Sequence, residues 1–369
     1  MKYYIIAGEA SGDLHGSNLI KALKEKDAQA NFRIWGGDKM EAAGAQLVKH
    51  YKDLAFMGFV EVVKNLRTIL GNIRFCKQDI TSFQPDVLIL IDYPGFNLRI
   101  AKWAKKQNIK IFYYISPQLW AWHASRVKQI KANIDRMFVI IPFEKKWYAD
   151  RGVEVDYVGH PLKDVIDNYK VDTNFKYANT TKKVIALLPG SRQQEIKRVL
   201  PKMLEVANDY PEYKFVIAKA KHLPWELYQN IIENTLDSSI DFVDDETYNL
   251  LSVAHAALVT SGTATLETAL FKIPQVVCYS GNPISFQIAK RLVDVPYISL
   301  VNLIAERKLV DELIQDELNK VNLQNALDQI LDGNSRSDLM DAYEVLSKRL
   351  GEKGASKMAA KLMHERLKN

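Results

Sequence analysis

Cysteine is scarce in this chain and long apolar runs are missing, and each shortage removes a class of protein. Only Cys76 and Cys278 occur in 369 residues, in different halves and without metal-ligand spacing, so neither a disulfide framework nor a zinc site is supported. A reducing, cytoplasmic setting fits. No run of about 18 apolar residues is present, so no spanning helix is expected. The apolar stretch Tyr3 to Ala7 is too short for a secretory core and ends at Gly8 and Glu9, so export is not expected. Low-complexity tracts, basic tails and short repeats are also absent, which disfavours a nucleic-acid partner.

What remains is a globular composition, 47% hydrophobic and 25% charged, in a chain long enough for two cores. A formal charge of +6 favours anionic partners without choosing among them. Short, continuously apolar β-type runs alternate with helical patterns: residues 2–7, 32–35, 87–91, 111–115 and 137–141, then again 183–188, 215–218, 240–243, 257–259 and 275–278. Strands apolar on both faces belong to parallel sheets covered by helices. The expected fold is therefore α/β, with two Rossmann-like doubly wound domains facing a cleft, at residues 1–165 and 182–335. The polar stretch Asp164 to Thr181 reads as the linker, and residues 336–369 as helices that pack back on the first domain.

In open parallel sheets ligands bind beyond the carboxyl ends of the strands, so the motifs there carry the chemistry. The first strand runs into Gly8-Glu9-Ala10-Ser11-Gly12-Asp13, a glycine turn opening a helix, suited to a phosphate or sugar or, equally, a plain capped βα turn. Ile91 leads into Asp92-Tyr93-Pro94-Gly95-Phe96-Asn97, which puts a carboxylate at a strand end, where it can serve as a general base or simply begin a turn. Ser116 to His123 is rich in tryptophan, offering ring faces to a sugar or packing in the core; His123 and His160 rank below Asp92 as alternative bases.

In the second half, Pro189-Gly190-Ser191-Arg192 followed by Glu195 combines a glycine turn, a helix start and a guanidinium, a favourable cradle for a diphosphate. With those groups neutralising the leaving group, neither a cofactor nor a metal is required. Ser261-Gly262-Thr263-Ala264 repeats the small-residue turn, and Glu267 lies one helical turn after Thr263, in reach of a ribose diol or, equally, as the acidic first turn of a simple helix. From Phe59 apolar residues recur through Val63 and Leu66 beside Lys64, Arg67 and Arg74, a pattern that also suits core packing; with the apolar loop Phe56-Met57-Gly58 before it, the helix is expected to touch a membrane surface through Phe59, Val63 and Leu66.

Taken together, these segments resemble the lipid-A-disaccharide synthase family. The likeness spans nearly the whole chain: Gly8-Glu9-x-Ser11-Gly12-Asp13, Ser116-Pro117-x-x-Trp120-Ala121-Trp122, Pro142-Phe143-Glu144, Gly159-His160, Leu188 to Arg192 with Glu195, and Ser261 to Ala264 with Leu266 and Glu267 follow in order. The resemblance implies a GT-B glycosyltransferase fold. It also implies an inverting transfer of diacylglucosamine from UDP to the 6-hydroxyl of diacylglucosamine 1-phosphate, giving a β-1,6 disaccharide phosphate for lipid A and lipopolysaccharide.

By this likeness Asp92 is the catalytic residue, and the second domain holds UDP through Gly190, Ser191, Arg192, Glu195, Ser261, Gly262, Thr263, Ala264 and Glu267. Candidate contacts to the acyl-sugar substrates are Gly8, Ser11, Gly12, Asp13, Asn97, Trp120, His123, His160 and Asn302. Peripheral docking on the cytoplasmic face of the inner membrane would bring the enzyme to its lipid substrates. Gly95 departs from the family pattern, which carries a second Asp there, so Asp92 alone is left for the chemistry. The rivals are another two-domain UDP-sugar enzyme, such as a UDP-N-acetylglucosamine 2-epimerase or an undecaprenyl-linked glucosaminyltransferase, and a non-catalytic nucleotide-sugar-binding module.

Overall fold

The computed structural model describes residues 1–53, 66–122, 124–235, 240–283, 286–287 and 295–368. The chain divides into two units, Met1–Asp164 with Leu350–Asn369, and Val165–Arg349. The first holds a seven-stranded sheet: β1 (Lys2–Ala7), β2 (Asn31–Gly36), β3 (Gln46–His50), β4 (Val87–Ile91), β5 (Lys110–Tyr114), β6 (Arg136–Val139) and β7 (Val155–Tyr157). All neighbours pair parallel, in the order β3-β2-β1-β4-β5-β6-β7.

The second holds β8 (Val184–Leu188), β9 (Lys214–Lys219), β10 (Asp241–Asp244), β11 (Ala254–Thr260), β12 (Gln275–Tyr279) and β13 (Glu312–Ile314), also parallel, in the order β10-β9-β8-β11-β12-β13. Each order runs outward from the first strand in one direction and then in the other. The switch points fall between β1 and β4 and between β8 and β11, where such sheets leave a crevice at their carboxyl edge.

Burial explains why the central strands lack polar alternation. Every residue of β4 and of β8 is buried. Along β1, Tyr4 and Ile6 enter the core on one face while Tyr3, Ile5 and Ala7 enter the core on the other. The second of these layers is completed by the chain's last helix, Ala355–Lys368, whose Ala359, Ala360 and Met363 are fully buried in it.

The return to the first unit begins later than the sequence pattern suggests. Helix Asn334–Arg349 remains with the second unit, and only Leu350 onward joins the first, so the expected division at residue 336 is corrected to the Gly351 to Gly354 break. Residues 165–181 likewise belong to the second unit: Phe175 and Tyr177 are buried in its core, and Tyr169 donates a hydrogen bond to Asn249.

Candidate active site

At the first switch point, β4 delivers Asp92 into a turn of unusual backbone. Asp92 and Tyr93 both have left-handed φ, 44° and 49°, a conformation that L residues seldom adopt and that surrounding contacts must enforce. Three side chains do so. The Asn97 amide donates to the carbonyls of Ile91 (3.2 Å) and Asp92 (2.7 Å), the Tyr113 hydroxyl donates to the Asp92 carbonyl, and the Tyr93 ring covers Gly8. A Cβ on Gly8 would lie 2.3 Å from that ring, so only glycine permits the approach. Burial, and next the neighbouring Glu9 carboxylate, push the Asp92 carboxyl up to about 6, partly opposed by a hydrogen bond from the Tyr93 backbone. A carboxylate with that affinity for protons is suited to general-base work near neutral pH. Glu9, the one polar residue of its motif not expected at the site, is the neighbour of Asp92 that sequence reasoning missed.

Several residues expected to touch a ligand are instead spent on the fold. Gly8 is covered by Tyr93, and Gly12 packs the helix Ala10–Lys24 against Ala7. Asp13 is 3% exposed and accepts hydrogen bonds from three backbone N–H groups, of Gly37 (2.8 Å), Met40 (3.0 Å) and Lys39 (3.1 Å). Asn97 is fully buried against its own turn. Trp120 is buried, its indole N–H directed to Glu144 (3.3 Å) and its ring edge-on to Phe143.

His160 is buried as well. Its Nδ1 accepts from the Leu162 N–H, and burial, aided by His15, pushes its pKa down to about 3, so it is neutral and carries no charge for a phosphate. Asn302, also fully buried, donates to the Val310 carbonyl and to Glu312 and accepts from the N–H groups of Leu309 and Val310. All its hydrogen-bonding capacity closes a loop of the second unit. Ser11 is exposed in the first helical turn, while His123, Phe59 and Val63 lie outside the described residues, as does the Leu66 side chain.

Glu144 was visible as a motif but not as a buried acid. It caps the helix Pro142–Ala149 by accepting from the Ile141 N–H (3.0 Å) and anchors the tryptophan segment through Trp120. Burial pushes its carboxyl up to about 7 despite those bonds.

The second switch point is open. Gly190, Ser191, Arg192, Glu195, Ser261, Gly262, Thr263, Ala264 and Glu267, the nine residues expected at UDP, line one cavity of about 480 Å³. Gly190 (φ 105°) and Gly262 (φ 142°) make the turns after β8 and β11 in backbone that side chains resist. The helices that follow, Gln193–Leu204 and Thr263–Leu270, start without a side-chain cap from Arg192 or Gly262, and Glu195 of the first and Thr263 and Ala264 of the second line the cavity from their opening turns. Arg192 stands exposed, 3.6 Å from Glu195. Glu267 is raised by burial and accepts from the Tyr248 hydroxyl at 2.8 Å. Ala218, Lys219, Ala220, Thr247 and Thr260 also line the cavity, and none of them is among the residues expected at UDP.

Two parallel α/β units of this topology, one with a buried carboxylate and the other with an open cavity at its switch point, define the GT-B fold class. Solved structures agree on the fold. The UDP-GlcNAc 2-epimerase of Neisseria meningitidis bound to UDP-GlcNAc superposes with a TM-score of 0.67 at 16% identity, covering 100% of both chains. The glycotransferase of kitacinnamycin gives 0.64 at 14% identity, covering 99% of this chain and 98% of its own.

The sequence comparisons decide the family: the lipid-A-disaccharide synthetase model matches residues 3–365, and the chain belongs to that family. Curated relatives include the lipid-A-disaccharide synthase of Trichlorobacter lovleyi, 38% identical over 368 residues (97% of this chain, 96% of that one). That of Coxiella burnetii is 34% identical over 369 residues (98% and 97%). The role in lipid A disaccharide synthesis, and not the epimerase alternative, follows from this membership.

Proposed function

We propose that the second unit holds the UDP end of UDP-2,3-diacylglucosamine and that Asp92 of the first unit deprotonates the 6-hydroxyl of 2,3-diacylglucosamine 1-phosphate. The acceptor oxygen bonds to the anomeric carbon with inversion, the bond from that carbon to the UDP oxygen breaks, and the hydroxyl proton passes to Asp92. The observation that carries the reading is the convergence on one cavity of two glycine turns, two uncapped helix starts and Arg192, a set that favours the two negative phosphates of a leaving diphosphate. Glu267 is the ribose ligand in this reading, its Oε1 oriented by Tyr248.

Purified protein given both acyl sugars in detergent micelles is expected to release UDP and form the disaccharide phosphate in equal amounts. UDP release without the disaccharide, or no reaction, would refute the proposal.

We also propose peripheral contact with an anionic membrane. No described helix is long and apolar enough to cross one. On helix Leu66–Phe83, however, Leu70 and Phe75 are 54% and 45% exposed beside the exposed Arg67 and Arg74. Apolar side chains flanked by guanidinium groups suit a headgroup layer. Changing Leu70 and Phe75 together to serine is expected to lower co-sedimentation with vesicles containing anionic phospholipid. Equal co-sedimentation of variant and wild type would count against this contact.

A further inference from the structure

Lys219 ends β9 and is 8% exposed, yet it forms part of the cavity wall. Lysine is among the residues least often buried, and burial is tolerated when the ammonium is paired. Its Nζ is 3.1 Å from Asp244 Oδ2 and donates to the Leu223 carbonyl at 3.4 Å. An ammonium has three donors, so two partners hold the nitrogen in place and leave one N–H for a third.

Strand order says what that third partner meets. The turns at Gly190 and Gly262 follow β8 and β11, which are adjacent, and a diphosphate cradled there spans those two strand ends. β9 lies one strand further out, about 5 Å from β8 and about 10 Å from β11. A nucleoside diphosphate laid along the cavity from β11 towards β10 therefore brings its base to the β9 end. There Ala218, Ala220 and Thr247 supply small side chains that leave width for a flat ring.

We infer that Lys219 reads this base, donating to the carbonyl oxygen at ring position 4 of uracil and rejecting cytosine, whose amino group at that position is itself a donor. The inference rests on the reading that the cavity holds UDP and adds the residue that selects the base. Two donors facing each other leave both unpaired, and sites built around a specific hydrogen bond discriminate strongly for that reason.

The test is isothermal titration of the whole protein with UDP, CDP and inorganic pyrophosphate. Wild type is expected to bind UDP about tenfold or more tighter than CDP. Lys219→Met is expected to bring the two within about twofold, with pyrophosphate affinity unchanged. If Lys219→Met loses its melting transition, Lys219→Arg carries the test, because it keeps the charge but displaces the donors and so must also shrink the ratio. A variant that keeps the wild-type ratio, or a wild type that binds UDP and CDP alike, overturns the inference while leaving the UDP reading standing. A wild type that binds neither nucleotide overturns both.

Discussion

Asp92→Asn is expected to lower turnover by about 100-fold or more, roughly 2.7 kcal/mol in the barrier, while the dissociation constant of UDP stays at its wild-type value. The substitution isolates the chemistry because asparagine has the same shape and is among the residues that accept a left-handed φ, which is 44° here. The contacts from Asn97 and Tyr113 fall on the backbone carbonyl of residue 92 and survive the change. UDP, in this reading, binds in the other unit.

The pH profile supplies the sign. A general base acts as the carboxylate, and the Asp92 carboxyl is pushed up to about 6 by burial and by Glu9. Wild-type kcat/KM is therefore expected to fall as pH drops through about 6, some two units above an ordinary aspartate, and the residual activity of Asp92→Asn should lack that acid limb. Near-wild-type turnover would move the base elsewhere. His160 is a poor successor, since burial holds it neutral down to about pH 3, whereas Glu9 stands beside the same turn.

The central strands were legible in sequence because burial on both faces leaves a continuous apolar run, as in β4 and β8. β3, β7 and β13 escaped notice because they are sheet edges, short or half-exposed, with residues such as Lys49, Asp156 and Glu312 that break the pattern. Glycine turns at strand ends were equally visible, but which of them is open was not. Both lie at switch points; Tyr93 fills the space over Gly8, while among the described residues beyond its chain neighbours none comes within 4 Å of where a Cβ on Gly262 would stand. That difference depends on strand order, which local pattern does not encode.

The same limit accounts for Asp13, Asn97, Asn302 and His160. Each is polar and sits near a strand end or turn, so each reads as a ligand contact, yet each has its partners in the backbone of a distant or adjoining loop. Lys219 escaped for the opposite reason, as a single cation closing an apolar strand.

Asp13→Ala separates these two kinds of residue most sharply. Its carboxylate joins three N–H groups of residues 37, 39 and 40 across 24 to 27 positions of sequence, fixing the turn between β2 and the helix Asp38–Ala42. The bonds to Gly37 and Met40 lie in the interior, where a donor left without an acceptor pays its full desolvation cost. Removing the cap is expected to destabilise the protein by roughly 2 to 4 kcal/mol. For a unit of this size that corresponds to a drop in Tm of roughly 5 to 15 °C by calorimetry. UDP affinity should be unchanged, because the cavity proposed to hold the nucleotide belongs to the other unit. Asp13→Asn, which keeps one acceptor oxygen, should fall between. A substrate ligand behaves in reverse: an Asp13→Ala protein with wild-type Tm and a raised KM for the acceptor would return Asp13 to the binding site and make its three backbone bonds incidental.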